Sequence, residues 1–449
     1  MTSRIDNIKV KIDVNESAAV GALENPRLLT DPQSSHHTSQ RCSMTRASAH
    51  SRNPKPAHHR QTGRRRYALV AAALLVTGAA TACASNSTGT ANANCDTTPY
   101  DAAITAYTSG DVIGKGPYGE TSVPATSIEL TDAEVTQIRA MNSTAAVVMH
   151  FSGDSWSNAQ VEALKAEFDR LGIRIVAQTD AQADPAKQFS DIETALSARP
   201  NIIVSIPSLD PVALAPAYRK AADAGVKIVF MENPAENFQP GQDYVSVVAT
   251  DNYGAGVLGA HQLAKALCGR GEVGVIHHGA QAPTNVLREQ GFTETIAKDY
   301  PDIDIVENKG LLGPDWKGEG NSNVNAWLTK HPQLGGVWCF FDAPCEGAID
   351  AARASGRDSL AVTTVDLGNN VAIDMAQNGF VAGIAAAQPY DQGTVEAKLA
   401  AYALLGKPAP AFVELPSLPV TRDNLVDSWK SLYHSDAPSD LQQALDSGR

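Results

Sequence analysis

Several side chains with chemistry of their own stand directly after short apolar runs: Asp154 and Trp156, Glu232 and Asn233, Phe341 and Asp342, Asp366, and Gln388. Carboxylates accept charge-assisted hydrogen bonds from hydroxyl groups. Aromatic faces cover the C–H side of a sugar ring. Converging on one cleft, this set would hold a small hydroxyl-rich molecule. Taken singly, each acidic residue reads more simply as the N-cap of a following helix. Their recurrence at consecutive run ends weakens that reading.

The elements that must position them alternate regularly from Thr144 onward. The short apolar runs 145–150, 173–178, 201–207, 226–231, 244–248, 272–276, 302–306, 335–340, 361–366 and 381–387 read as strands. Between them lie helical patterns near 157–171, 253–267, 285–299, 319–330, 345–355 and 371–378. Two further helices fall at Phe189–Leu196 and up to Ala224. Ser157 is expected to cap the first, with Val161, Leu164, Phe168 and Leu171 inward and Gly172 ending it. Strands apolar on both faces and joined by helices predict an α/β fold with covered parallel sheets. About ten strands are many for one open sheet, so two Rossmann-like lobes are expected. Ligands in such sheets lie beyond the carboxyl ends of the strands, where the polar residues above stand. Upstream, Thr131–Glu134 has capping-box spacing ahead of Val135, Ile138 and Met141, which predicts one more helix.

The chain carries 36 Lys plus Arg against 49 Asp plus Glu, a formal −13, but unevenly. Residues 1–66 hold 12 basic and 5 acidic residues, and the remainder 24 and 44. The long acidic part excludes a nucleic-acid binder, which needs clustered cations. Residues 1–66, with paired histidines at 36–37 and 58–59, read as an unfolded basic leader, and 1–43 as an extension upstream of a start at Met44. Arg64–Arg66 precede the uncharged run 67–82, too short for the ~20 residues of a permanent span and read as the apolar region of a signal peptide. Ala80-Thr81-Ala82-Cys83 resembles a bacterial lipobox, with Ala80 where Leu is usual. Cys83 is thereby expected to be lipidated and to begin the mature chain, tethered by polar residues 84–94. Sec and twin-arginine export both stay open.

Four cysteines then remain for an oxidising compartment: Cys95, Cys268, Cys339 and Cys345. Cys339 at a strand end and Cys345 at the next helix start either bridge or stay as buried thiols. Pairing of Cys95 with Cys268 follows only by elimination.

From 145 to about 434 the chain resembles a type I periplasmic binding protein of the ribose-binding class. The segments that carry the likeness are DSWSNAQVEALKAEFDRLG, Asp184-Pro185-Ala186-Lys187-Gln188, IVSIPSLDP, VVATDNYGAG, LREQGF, LTKHP, VTTVDLG and AAQPYDQG. The resemblance implies two lobes joined by a three-strand hinge at Ala249–Asp251, Gln388 and Pro416–Val420, closing on a ligand without catalysis. It places lobe 1 at 144–249 plus 389–417 and lobe 2 at 250–388 plus 418–434, with an extension at 95–143 and a tail at 435–449. It also implies a monomer that delivers its ligand to an ABC permease and ATPase from the outer face of the bacterial cytoplasmic membrane.

Carried over position by position, Asp154 and Trp156 stand where the family has Asn and Phe, and Glu232 stands at a sugar-binding Asp. Asn233 replaces an Arg. Arg288 matches a ligand-binding Arg, Trp316 lies at a stacking Phe, and Phe341 takes an Asn position beside Asp342. Asp366 and Gln388 match directly. The departures point away from ribose itself, toward another small sugar or polyol.

Gly254, Gly256 and Gly259 match a dinucleotide fingerprint, yet the following strand ends in His277-His278 rather than an acid, so no nucleotide cofactor is expected. The glycines are read instead as close helix–strand packing. Adjacent histidines on a strand point opposite ways, so no metal is expected. There is no nucleophile elbow, and the carboxylates read as binding groups rather than a glycosidase pair. A binding protein that signals to a membrane kinase shares the same lobes. A lactose-repressor-like regulator would need a DNA-binding headpiece in place of the signal peptide.

Overall fold

The computed structural model describes residues 95–106, 114–207, 210–280 and 282–448. The readings of the leader, the apolar run, Cys83 and the tether lie outside the described residues. Among the described residues, thirteen strands form two sheets. The first is ordered β1-β12-β6-β5-β4-β2-β3, with β1 Val123–Pro124, β2 Thr144–Met149, β3 Arg174–Asp180, β4 Ile202–Ser205, β5 Lys227–Met231, β6 Ser246–Thr250 and β12 Phe412–Leu415. The second is ordered β13-β11-β10-β9-β7-β8, with β7 Arg270–His278, β8 Asp302–Leu311, β9 Leu334–Cys339, β10 Ala361–Val365, β11 Val381–Ala386 and β13 Leu418–Val420. All pairings are parallel except β13 on β11. The ten expected runs form β2 to β11; β1, β12 and β13 lie outside them.

Alternate residues of the first sheet feed opposite faces, as the pleat requires. Val147 and Met149 join Leu164 and Phe168 on one side, while Val148 joins Ile203, Tyr218 and Phe230 on the other. Each such fully buried side chain contributes roughly 1.5–3 kcal/mol by leaving water. In the second lobe Trp338 stacks on Phe292 with ring centres 4.7 Å apart. The chain passes between the sheets from β6 into the helix Asn252–Leu267, from β11 into the helix Pro389–Leu405, and from β12 to β13.

The first long helix, Ser155–Leu171, is not capped by Ser157. Asp154 caps it, accepting from the Ser157 N–H at 2.6 Å and from its hydroxyl at 2.6 Å. A carboxylate three residues upstream reaches the free N–H of the first turn, which a side chain inside the helix cannot do. The Thr131–Glu134 capping box forms as expected, opening the helix Asp132–Met141.

The extension ahead of that helix touches both lobes. Cys95 is bonded to Cys268, Asp101 pairs with Lys265 at 2.5 Å, and Tyr100 stacks on Tyr300, all on the second lobe. Val123–Pro124 then adds an edge strand to β12 in the first sheet. Cys339 is bonded to Cys345. The segment read as a tail contains the helix Ser439–Ser447, which buries Leu441 and Ala444.

Candidate functional site

Glu232 and Asp366 follow β5 and β10 directly, and both adopt the left-handed region, at φ 57° and 67°. That conformation costs a non-glycine residue roughly 1 kcal/mol. It turns each carboxyl away from its strand's path at the carboxyl end of the sheet.

A hydrogen-bonded chain joins them through the hinge. Glu232 Oε1 accepts from the Thr250 N–H at 3.2 Å, and Oε2 from Asn252 Nδ2 at 2.9 Å. Arg288 Nε donates to Asn252 Oδ1 at 2.6 Å; its Nη1 donates to the Phe340 carbonyl at 2.9 Å and to Asp366 Oδ2 at 3.4 Å. Asp366 Oδ1 is sealed from solvent and has no partner among the described residues. Burial pushes the Asp366 carboxyl up to about 6; Arg288 opposes the rise, while Glu232 and Asp154 add to it. Asp342 lies against Gly368 and rises well above the ordinary range through burial, then through Asp366, Asp154 and Glu346. Asp154, Glu232, Asp342 and Asp366 thus share one electrostatic neighbourhood with Arg288.

Close glycine contacts position Arg288. A Cβ on Gly256 would lie 2.1 Å from the Arg288 carbonyl oxygen, and one on Gly291 would lie 2.0 Å from that of Tyr253. Gly259 has Trp338 of β9 in the same role. The glycine run therefore packs helix on helix as well as helix on strand.

The aromatic side of the site is a cluster of Trp316, Phe340, Phe341 and His278. Trp316 lies 5.5 Å from Phe341 and 5.0 Å from His278, ring centre to ring centre. Trp156 lies apart, against the core of the first lobe, and makes no ring contact with Trp316 or Phe341 among the described residues. His277 and His278 turn to opposite sides as expected: His277 pairs with Glu289 at 3.1 Å, while His278 packs between Trp316 and Phe340. Burial, then Arg288 and His277, lower His278 to about 4, so the ring is neutral at neutral pH.

The remaining positions are engaged at the cleft walls. Asn233 bonds Thr284 of the helix Pro283–Asp299, and Gln388 Nε2 donates to the Pro416 carbonyl at 2.7 Å. Sequence reasoning does not single out Asn252, Thr284, His278 or Phe340 as site residues. Asn252 carries a signal only as a member of the hinge segment VVATDNYGAG, and the His pair only as a metal candidate. Nothing in the sequence marks Thr284. No group of three metal-ligating side chains occurs among the described residues.

Residues 145–408 match the family model described as a periplasmic binding protein domain. The chain belongs to the periplasmic binding protein family. Its two Rossmann-like lobes and hinge crossings are those of the type I, ribose-binding class. It is 32% identical over 180 residues to a D-ribose/D-allose-binding protein of Pseudomonas aeruginosa, covering 39% of this chain and 54% of that one. It is 25% identical over 260 residues to a ribose import binding protein of Bacillus subtilis, covering 56% and 79%. The first of these matches thus spans little more than half of its relative. A solute-binding protein of Agrobacterium vitis, solved with α-D-tagatopyranose, superposes with a TM-score of 0.60 over 66% of this chain and all of its own, at 21% identity. In open α/β sheets, ligands lie beyond the carboxyl ends of the strands. In this chain Asp154, Glu232, Asp342 and Asp366 follow strands at those ends, and Arg288 reaches Asp366 from the helix Pro283–Asp299.

Proposed function

We propose that this chain is an exported solute-binding lipoprotein that captures a small sugar or polyol and delivers it to an ABC permease and its ATPase. The observation that carries the reading is the Glu232–Asn252–Arg288–Asp366 chain, which sets carboxylates of both lobes around one guanidinium beside an aromatic cluster. Carboxylates and a guanidinium supply acceptors and donors for vicinal hydroxyls, and Trp316 and Phe341 supply apolar faces for ring C–H groups. The relatives from Pseudomonas aeruginosa and Bacillus subtilis are named for ribose or allose, which supports the same class. Asp154, Trp156, Asn233 and Gln388 complete the proposed binding set.

Binding is by closure. A ligand touching both lobes has higher affinity for the closed form and shifts the population toward it. Cys83, lipid-modified after export, anchors the monomer to the outer face of the cytoplasmic membrane. Calorimetry of the purified protein against a panel of monosaccharides and polyols tests the reading. Micromolar or tighter binding of one class is expected, and no heat with any of them overturns it.

A further inference from the structure

The cleft is electrostatically incomplete for a neutral ligand. Four carboxylates, those of Asp154, Glu232, Asp342 and Asp366, meet a single guanidinium among the described residues. Within that set Arg288 is the cation acting on Asp366, and none acts on Asp342. That guanidinium is already divided among Asn252, the Phe340 carbonyl and Asp366. Three further carboxyls thus share the site with Asp366 and that one guanidinium. A neutral polyol would seal them from water without compensation, which is costly.

Two independent observations show groups at this site without partners among the described residues. Asp366 Oδ1 is sealed and unbonded. His278, 5% exposed, accepts the Ala280 N–H on Nδ1 at 2.9 Å, so Nε2 carries the hydrogen, and that atom too has no partner. Beside them, Trp316 and Phe341 offer π faces, which attract an organic ammonium.

We infer that the ligand of this cleft is an amine-bearing sugar or polyol, its ammonium held by Asp154 and Asp366 against the Trp316–Phe341 cluster. The inference rests on the proposed binding of a sugar or polyol and narrows it to cationic members. Asp154 is the acid best placed to be specific. Only its Oδ1 caps the helix, which leaves Oδ2 for a ligand.

The test is calorimetry of the purified protein with matched pairs: D-glucose, D-glucosamine and N-acetyl-D-glucosamine, and myo-inositol against a monoamino-inositol. In at least one series the free amine is expected to bind tenfold or more tighter than its hydroxyl or acetylated counterpart, and to weaken with added salt. Asp154→Asn preserves the helix cap. It is expected to lower affinity for the amine at least tenfold and to narrow the amine's preference over its neutral counterpart. Equal or tighter binding of the neutral members overturns the inference and leaves sugar capture standing. No heat from either series overturns the inference, and no heat from the wider monosaccharide and polyol panel as well overturns both. An Asp154→Asn variant that retains the parent's preference for the amine removes Asp154 from the ammonium subsite and overturns the inference as stated.

Discussion

Asn233 and Thr284 grip each other across the cleft. Asn233 Nδ2 donates to Thr284 Oγ1 at 2.9 Å, while its Oδ1 lies 3.2 Å from both the backbone N–H and the hydroxyl of Thr284. One residue follows β5 of the first sheet; the other opens the helix after β7 of the second. The Asn233 amide therefore latches lobe to lobe. Thr284→Val keeps the shape and removes the hydroxyl, at a cost of about 1–3 kcal/mol to the closed form. A larger radius of gyration by small-angle scattering is expected. An unchanged radius, with unchanged ligand affinity, would show that the latch does not set the opening.

Removing Arg288 leaves Asp366 and the Asn252 side-chain carbonyl without their shared donor. Arg288→Ala is expected to keep the far-ultraviolet dichroism of the parent and to lower stability by about 3 kcal/mol. Ligand affinity should fall at least tenfold. Arg288→Lys should recover only a fraction of it, because a point charge cannot serve Asn252, Phe340 and Asp366 together. Parent-like affinity in the alanine variant would move the site elsewhere.

Glu414 gives the fold a pH dependence with a definite sign. It is 1% exposed on β12, and burial, then Asp251, raise its carboxyl to about 8 from 4.5, with the Ser122 hydroxyl opposing. Below pH 4.5 both the folded and unfolded forms are protonated. Between 4.5 and 8 the folded form keeps a proton that the unfolded form has lost, so stability falls as pH rises through that window. Glu414→Gln removes this loss, roughly 4 kcal/mol at pH 8. Its melting temperature should exceed the parent's at pH 8 and converge with it near pH 4.5. A gap that does not vary with pH would contradict a protonated Glu414.

Gly256 leaves no room for a methyl group, since its Cβ would stand 2.1 Å from the Arg288 carbonyl. Gly256→Ala must push the two helices apart and is expected to cost about 1–3 kcal/mol of stability, with ligand affinity falling as Arg288 is displaced. Gly225, whose Cβ direction is open, does not report on this contact. A parent-like melting temperature for Gly256→Ala would refute the close approach.

The two disulfides should differ in weight. Cys95–Cys268 closes a separation of 173 residues and Cys339–Cys345 one of 6. In the chain-entropy model these restrict the unfolded state by about 5 and about 2 kcal/mol. Replacing Cys95 and Cys268 by serine should therefore lower the denaturation midpoint more than replacing Cys339 and Cys345 by alanine. The reverse order would show that the short bridge acts by fixing the start of the helix Asp342–Ala354 that carries Asp342.

What is legible and what is not follows from range. Strands β2 to β11 announce themselves as short apolar runs because both faces of a covered parallel sheet are buried. The Thr131–Glu134 capping box is a contact between neighbours in sequence, so spacing alone reveals it. Spacing puts the cap of the helix after β2 three residues too late: Asp154 and Ser157 are both good caps, and only backbone geometry decides between them. β1, β12 and β13 carry too few residues for a period to show, and exist through pairing with partners far along the chain.

The sequence by itself determined the alternation of strands and helices, and therefore which acids stand at strand ends. It determined the glycines where backbones must touch, and the family to which the chain belongs. Tertiary structure decided what those residues do to one another. Asn252 ties Glu232 to Arg288, Asn233 closes on Thr284, His278 turns into the aromatic cluster, and four carboxylates gather around one guanidinium. Local spacing cannot hold this information, because these partners lie far apart along the chain and meet only through the packing of the sheets and the crossings between them. The cleft's charge is a property of that convergence.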